Sequence, residues 1–401
     1  MNINEIFKHA VKNHKENKLE EAQDLYNQIL KVDPEHTHTQ NNLGIIFEKL
    51  KDNEKAKNYF EKAIETDPNY VDAYNNLGNV LKAIGDIKKA QDCYKKAIAI
   101  DPSYVNAHHN LGASLNDLSD YHKVKDCYKK AIEIDPSYTP SYWNLHSLSS
   151  NIDEALTILQ KLYEIDSGHT NAEIMISVLQ CYKGNLNRFK DLLKLHKADH
   201  PFVRSAKWVF SLPKLPNIFF NRLHFFDAVI ALSDNSRPFY EFGVWKGVSF
   251  QHLIKNFKKG FGFDTFTGLP ETWHNEKKGH YSSFGLTPKI EGGQFITGKF
   301  EDTLPNFFSK ERPLASLINF DADLYSSTLC ALNYSNKVID DKTILIFDEF
   351  IMNDRWEEDE YKALNEFCDN FGYSYEVIAV SFFTKQVAVK LKKLSTKIKY
   401  L

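Results

Sequence analysis

Four carboxylates stand in two short stretches of this chain. Asp321 and Asp323 lie in Asn319-Phe320-Asp321-Ala322-Asp323-Leu324-Tyr325-Ser326-Ser327-Thr328, and Asp348 and Glu349 in Phe347-Asp348-Glu349-Phe350. Clustered carboxylates repel one another and ordinarily need a cation, and oxygen-only ligands favour magnesium or a similar hard metal. No Arg or Lys cluster adjoins them in sequence, so a bound divalent ion is the expected partner. A second constellation is Glu241-Phe242-Gly243-Val244-Trp245-Lys246-Gly247-Val248-Ser249, followed 23 residues after Glu241 by Asp264. Gly243 and Gly247 permit a tight turn and close approach of a ligand to the backbone. An acidic residue at that distance is where a ribose diol needs an acceptor. The absent third glycine suits a cofactor without a pyrophosphate. S-adenosylmethionine is such a cofactor, with Glu241 or nearby backbone at its ammonium and Asp264 at its ribose.

These residues must be carried by strands. β-rich runs at 239–244, 260–266, 295–300, 314–321 and 343–350 alternate with helical patterns, which predicts βαβ units and a parallel sheet. After a helix over 360–371, runs at 375–380 and 387–391 are close enough for a hairpin, so the sheet should end in an antiparallel strand. In an open α/β sheet, ligands bind outside the carboxyl ends of the strands, which brings the four acids, the glycine turn and Asp264 to one crevice. The segment 271–294 holds Trp273, His274, His280, Tyr281 and Phe284. Its length suggests a substrate lid, with His274, His280 and Tyr281 as candidate acceptor contacts.

The first part of the chain is periodic instead. Asp33-Pro34, Asp67-Pro68, Asp101-Pro102 and Asp135-Pro136 recur every 34 residues, and Leu43-Gly44, Leu77-Gly78 and Leu111-Gly112 recur in phase with them. Ala56, Ala90 and Val124 follow, then Phe60, Tyr94 and Tyr128. Small residues let two helices of a hairpin approach while the aromatic rings fill the shared core. Asp-Pro stops the second helix of each hairpin. Residues 3–36 form a weaker first unit, and 139–168 a shorter fifth. The expected layout is an α-solenoid over 1–168, a helical junction over 169–204, an α/β domain over 205–393 and a tail over 394–401.

Composition narrows the function classes. A net charge of −3 and a pI near 6.6 lack the basic footprint of nucleic-acid binding. No stretch approaches 18 consecutive apolar residues and the N-terminus lacks an apolar signal core, which reads as cytoplasmic. Five scattered cysteines without a CxxC favour neither a disulfide framework nor a zinc site.

Two resemblances follow. The 34-residue unit resembles the tetratricopeptide repeat. Asn42, Asn76, Asn110 and Asn144, one per unit, resemble the amide ladder in the groove of O-linked N-acetylglucosamine transferases, which implies hydrogen bonding to an extended polypeptide. The catalytic half of that family is not recognisable. Over 205–393, four motifs in order resemble those of macrocin-type sugar O-methyltransferases: the glycine turn, Asp264-Thr265-Phe266-Thr267-Gly268-Leu269-Pro270, Gly298-Lys299-Phe300-Glu301-Asp302-Thr303-Leu304-Pro305, and the Asp321–Thr328 stretch.

That resemblance implies a Rossmann-like, metal-dependent enzyme using S-adenosylmethionine. Asp321, Asp348 and Glu349 would bind magnesium and Asp323 would be the general base. Glu349 departs from the usual aspartate pair, and Asp340-Asp341-Lys342 replaces the usual Pro-Gly-Gly before the fifth strand. Magnesium would bind vicinal hydroxyls of a sugar or glycan, lower the pKa of one and align it, and Asp323 would take its proton. Asp321-Ala322-Asp323 also fits the metal motif of glycosyltransferases that use nucleotide sugars. A third reading makes the chain a repeat scaffold with an inactive enzyme domain.

Overall fold

The computed structural model describes residues 2–115, 120–194 and 198–394. The chain divides into two compact units, Met1–Leu145 and His146–Leu401.

The first unit is a row of antiparallel helix pairs: Ile3–Lys15 with Leu19–Val32, Thr37–Lys49 with Asn53–Thr66, Val71–Ala83 with Ile87–Ile100, and Val105–Ser114 with Tyr121–Ile134. Each second helix stops where the sequence says it should. Asp67, held extended by the following proline, has φ −131° and ψ 96°, and Asp33, Asp101 and Asp135 repeat that geometry. Gly44 and Gly78 are the points of closest helix approach, since a Cβ on either would lie 2.5 Å from the ring of Phe60 or Tyr94. Tyr94 is itself held by a 2.9 Å bond from its hydroxyl to Asn79. Gly78→Ala gains at most about 1 kcal/mol of helix propensity but must displace that ring, an overpacking cost of about 1–3 kcal/mol. The expected outcome is a lower urea midpoint for the repeats. A midpoint raised by the substitution would mean that the ring slides aside freely.

The second unit opens with helices Ile152–Ile165, Thr170–Tyr182, Asn187–Lys194 and Pro201–Ser211. These belong with the sheet, so the compact division falls at 145/146 and not at the end of the expected fifth repeat. The physical reason is local pairing. Trp208 packs on Phe350, Trp356 and Tyr361 with centroids 5.6, 5.9 and 5.7 Å away. Arg204 Nε lies 2.8 Å from Glu357, and Ser205 Oγ accepts the Met352 N–H at 2.9 Å.

Eight strands follow: β1 (Asn217–Phe219), β2 (Phe239–Phe242), β3 (Gly260–Asp264), β4 (Gly293–Thr297), β5 (Leu317–Phe320), β6 (Ile344–Phe347), β7 (Tyr373–Ser381) and β8 (Val387–Lys393). They form one mixed sheet in the order β1-β7-β8-β6-β5-β2-β3-β4, in which β8 alone runs antiparallel to its neighbours. β2, β5 and β6 are buried along their whole length, as expected for strands covered on both faces. Rings of Phe263, Phe242, Phe320 and Phe347 stack across four adjacent strands at 4.8, 5.4 and 4.9 Å. The three-residue edge strand β1, too short for a periodic signal, is not among the β-rich runs read from the sequence. The predicted run at 295–300 begins two residues earlier and ends at Thr297, because Phe300 already opens the helix Phe300–Phe307. Among the described residues no helix is long and apolar enough to cross a membrane.

Candidate functional site

After β2 the chain moves outward through β3 and β4, then returns to place β5 on the other side of β2. Such a reversal opens a crevice at the carboxyl ends of the strands. A cleft open to solvent lies there, and Gly243, Trp245, Asp264, Tyr281, Lys299 and Glu301 are among its walls. Gly243 has φ +88°, and a Cβ there would lie 1.8 Å from the backbone oxygen of Asp321, so the turn after β2 presses directly on the end of β5. Trp245, Phe266, Tyr281 and Asp323 around this cleft also adopt positive φ, between 48° and 59°. Such backbone is unfavourable for bulky side chains and concentrates at functional sites.

Of the five expected cofactor contacts, Gly243 and Asp264 line the cleft and three do not. Asp264 does more than face it: Oδ2 accepts the N–H groups of Val244 and Trp245 at 2.8 and 2.7 Å, and Oδ1 that of Phe266 at 2.6 Å. It therefore ties the glycine turn to the end of β3. Gly247, at φ +76°, faces Pro288 and Ile290 from 3.0–3.3 Å, so its missing side chain makes room for the 271–294 segment. Ser249 is buried in the following helix.

Glu241 is buried in the sheet opposite Asn319, whose Nδ2 donates to its Oε1 at 3.1 Å. Burial, only partly offset by that bond, pushes its carboxyl up to about 8. Glu241 Oε2 and Asn319 Oδ1 both lack a partner, and a proton on the carboxyl supplies the missing donor. The folded chain thus keeps a proton that the unfolded chain releases, and stability is complete below about pH 4.5 and declines as pH rises towards 8. Glu241→Gln should match the wild type in urea unfolding at pH 5 and exceed it at pH 9, by at most about 5 kcal/mol. Parallel curves for the two chains would remove the buried proton from the account.

The four acids do meet, but protein cations meet them. Arg222, opening the helix Arg222–Ala231, places Nη2 2.6 Å from Asp348 Oδ1 and 3.6 Å from Asp321 Oδ2. Gln386 Nε2 donates to the same Asp348 oxygen at 2.6 Å, and Lys385 Nζ lies 2.7 Å from Glu349 Oε2. A fifth acid, Glu360, is wholly buried; its Oε2 accepts the Glu349 N–H at 3.1 Å and its Oε1 has no partner. Burial, followed by repulsion from Asp348, raises the carboxyl of Asp321 well above its usual range. Burial and then the charge of Glu349 do the same for Asp323, whose side chain makes no hydrogen bond or ion pair among the described residues. In this structure the counter-charge beside these acids is supplied by Arg222 and Lys385. Asp321, Asp348 and Glu349 are oxygen donors of the right kind, yet Arg222 and Lys385 hold their oxygens. Among the described residues no three His, Cys, Asp or Glu side chains are disposed to hold a metal. Sequence reading missed Arg222 and Lys385 because the pairing spans 126 residues in one case and 36 in the other.

The segment up to the start of β4, residues 271–292, folds over the cleft side of the sheet without a helix or strand. Glu271 accepts from Ser326 at 2.8 Å and Trp245 Nε1 donates to the Ser282 carbonyl at 3.3 Å. His274 is bound to Asp359 at 2.7 Å and His280 to Glu276, and neither lines the cleft. Tyr281 does, edge-on to Trp245 at 5.9 Å. In the repeats, the amides of Asn42, Asn76, Asn110 and Asn144 are half-buried. Their Nδ2 groups donate to Tyr26, Asn41, Asn75 and Tyr128 at 3.0, 3.1, 2.9 and 3.3 Å. The ladder therefore knits neighbouring helices of the array.

A family model matches within the first unit. Residues 39–70, 71–104 and 105–138 each match the model of the tetratricopeptide repeat. No curated protein matches the chain. The similar solved structures include MamA, at 24% identity over 40% of this chain and 96% of that one, with a TM-score of 0.36. They also include YrrB, described as a TPR protein with an unusual peptide-binding site, at 22% identity over 46% and 97% of the two chains (TM-score 0.38). PilW, a type IV pilus biogenesis factor, matches at 17% identity over 51% and 98% (TM-score 0.45). The helical hairpins, their 34-residue period and the threefold match agree: the N-terminal part of this chain is an array of tetratricopeptide repeats.

Proposed function

We propose that the C-terminal unit binds S-adenosylmethionine in the cleft beside Gly243 and transfers its methyl group to a hydroxyl of a sugar or glycan. The repeats would recruit the acceptor or a partner polypeptide. The observation that carries this reading is the cleft itself, which sits at the strand reversal between β2 and β5 with the glycine turn on one wall and Asp264 on another. Support also comes from the strand order, whose reversed last strand is the one a Rossmann-like methyltransferase sheet requires. The aromatic walls Trp245, Tyr281 and Phe300 suit a flat heterocycle, and the carboxylates of Asp264 and Glu301 suit hydroxyl groups.

The cofactor, when bound, supplies an electrophilic methyl group. The chain's own work is to hold the acceptor hydroxyl and remove its proton. Asp323, which makes no ion pair among the described residues and stands just beyond the end of β5, is the carboxylate available to accept that proton. Asp321, Asp348 and Glu349 shape the crevice through Arg222 and Lys385. Magnesium is not carried into this proposal.

Calorimetry of the full chain against S-adenosylmethionine and a panel of nucleotide sugars tests the reading. Saturable binding of S-adenosylmethionine alone is expected. Preference for a nucleotide sugar would turn the assignment to glycosyl transfer. The threefold repeat match and the occupied acids favour a second reading, a repeat scaffold with an inactive sheet unit, and binding of neither ligand would select it.

A further inference from the structure

We infer that the counter-charge of the acid crevice is built into the chain, with Arg222 as its principal cation and Lys385 as its second, in the place that the motif resemblance gives to a divalent ion. The argument is one of occupied lone pairs. Asp348 Oδ1 already accepts from Arg222 and from Gln386, both at 2.6 Å, and Arg222 reaches Asp321 with the same nitrogen at 3.6 Å. A metal bridging Asp321 and Asp348 would have to expel the guanidinium from between them. The guanidinium side chain is only 26% exposed, and it cannot escape by losing its proton. Glu349, the position that departs from the aspartate pair of the resembling family, is held 2.7 Å from Lys385. Its longer side chain reaches a lysine carried by the turn between β7 and β8.

The consequence is a division among the acids. Asp321 and Asp348 are held by Arg222 and Glu349 by Lys385, whereas Asp323 makes no ion pair among the described residues and feels Lys385 only at longer range. Arg222 is thus a positioning residue: it fixes the floor of the crevice by holding the carboxylates of two of its acids. This inference concerns the crevice and stands apart from the methyl-transfer reading, because its readouts are metal affinity and thermal stability.

The test titrates Mn²⁺ into the full-length chain, followed by calorimetry and by the electron paramagnetic resonance of free Mn²⁺. The wild type should show no saturable binding up to about 1 mM, and its Tm should be the same in chelator and in Mn²⁺. Arg222→Met should lower Tm in chelator, bind Mn²⁺ at least about tenfold more tightly than the wild type, and recover part of its Tm on binding. Arg222→Lys, which keeps the charge, should stay close to the wild type in metal affinity. Stoichiometric Mn²⁺ binding by the wild type would overturn the inference, as would an Arg222→Met chain with wild-type Tm and no gain in Mn²⁺ affinity. Should Arg222→Met not fold, Lys385→Met and the wild-type titration decide the matter by the same criteria.

Discussion

On the proposed methyl-transfer reading, Asp323→Asn should reduce transfer by about 100- to 10,000-fold, the range a positioned general base contributes, while S-adenosylmethionine binds as tightly as to the wild type. The substitution keeps shape and removes the ability to take a proton. Asp323 is singled out by three features: it sits just beyond the end of β5, it holds a left-handed backbone at φ +59°, and it has no ion-pair partner among the described residues. Burial and the charge of Glu349 raise its carboxyl well above the usual range, so it takes up a proton at higher pH than an ordinary carboxylate and, once protonated, cannot act as a base. The transfer rate should therefore climb with pH through the raised titration of this group, and the Asn variant should lose that rising limb. Radiolabelled methyl transfer to a glycan panel, measured from pH 5 to 9, gives both results. An Asn variant with wild-type rate and profile would move the base elsewhere, whatever the cofactor affinity.

Gly243→Ala is the second large effect. The added Cβ would lie 1.8 Å from a backbone oxygen, which no side-chain rotation relieves, and the residue would be held at φ +88°. The left-handed backbone costs about 1–2 kcal/mol and the overpacking about 1–3 kcal/mol, so a loss of about 2–5 kcal/mol is expected in the C-terminal unit. Four of the five tryptophans lie beyond residue 145, so their fluorescence follows the unfolding of that unit. S-adenosylmethionine binding should fall together with stability. Gly247→Ala provides the contrast, because it meets only the side chains of Pro288 and Ile290 at 3.0–3.3 Å, and cofactor affinity should survive it. Equal losses from the two substitutions would contradict the separate roles assigned to these glycines.

Repeats and strands are local matters, and the sequence by itself determined them. Asp-Pro ends a helix through the ring's own sterics, and Gly78 must be small because Tyr94 lies 16 residues on in the same hairpin. The helix Glu360–Phe371 and the hairpin of β7 and β8 were legible from patterning for the same reason. The acids too could be placed at one end of a sheet, since strand alternation and the rule for carboxyl ends require no more than chain order.

What answers those acids could not be read that way. Arg222 lies 126 positions from Asp348, on a helix whose sequence shows only that it is amphipathic or buried, and nothing local marks it as a counter-ion. The same holds for Gly247, whose role depends on Pro288 and Ile290 folding back over it, and for Asn42 and Asn76, whose amides are spent on residues of neighbouring helices. Residue type and spacing determine which groups are present and at which end of an element they stand. Only the tertiary structure decides which charges and lone pairs are already taken, because electrostatic pairing acts across a few ångströms of space and takes no account of distance along the chain.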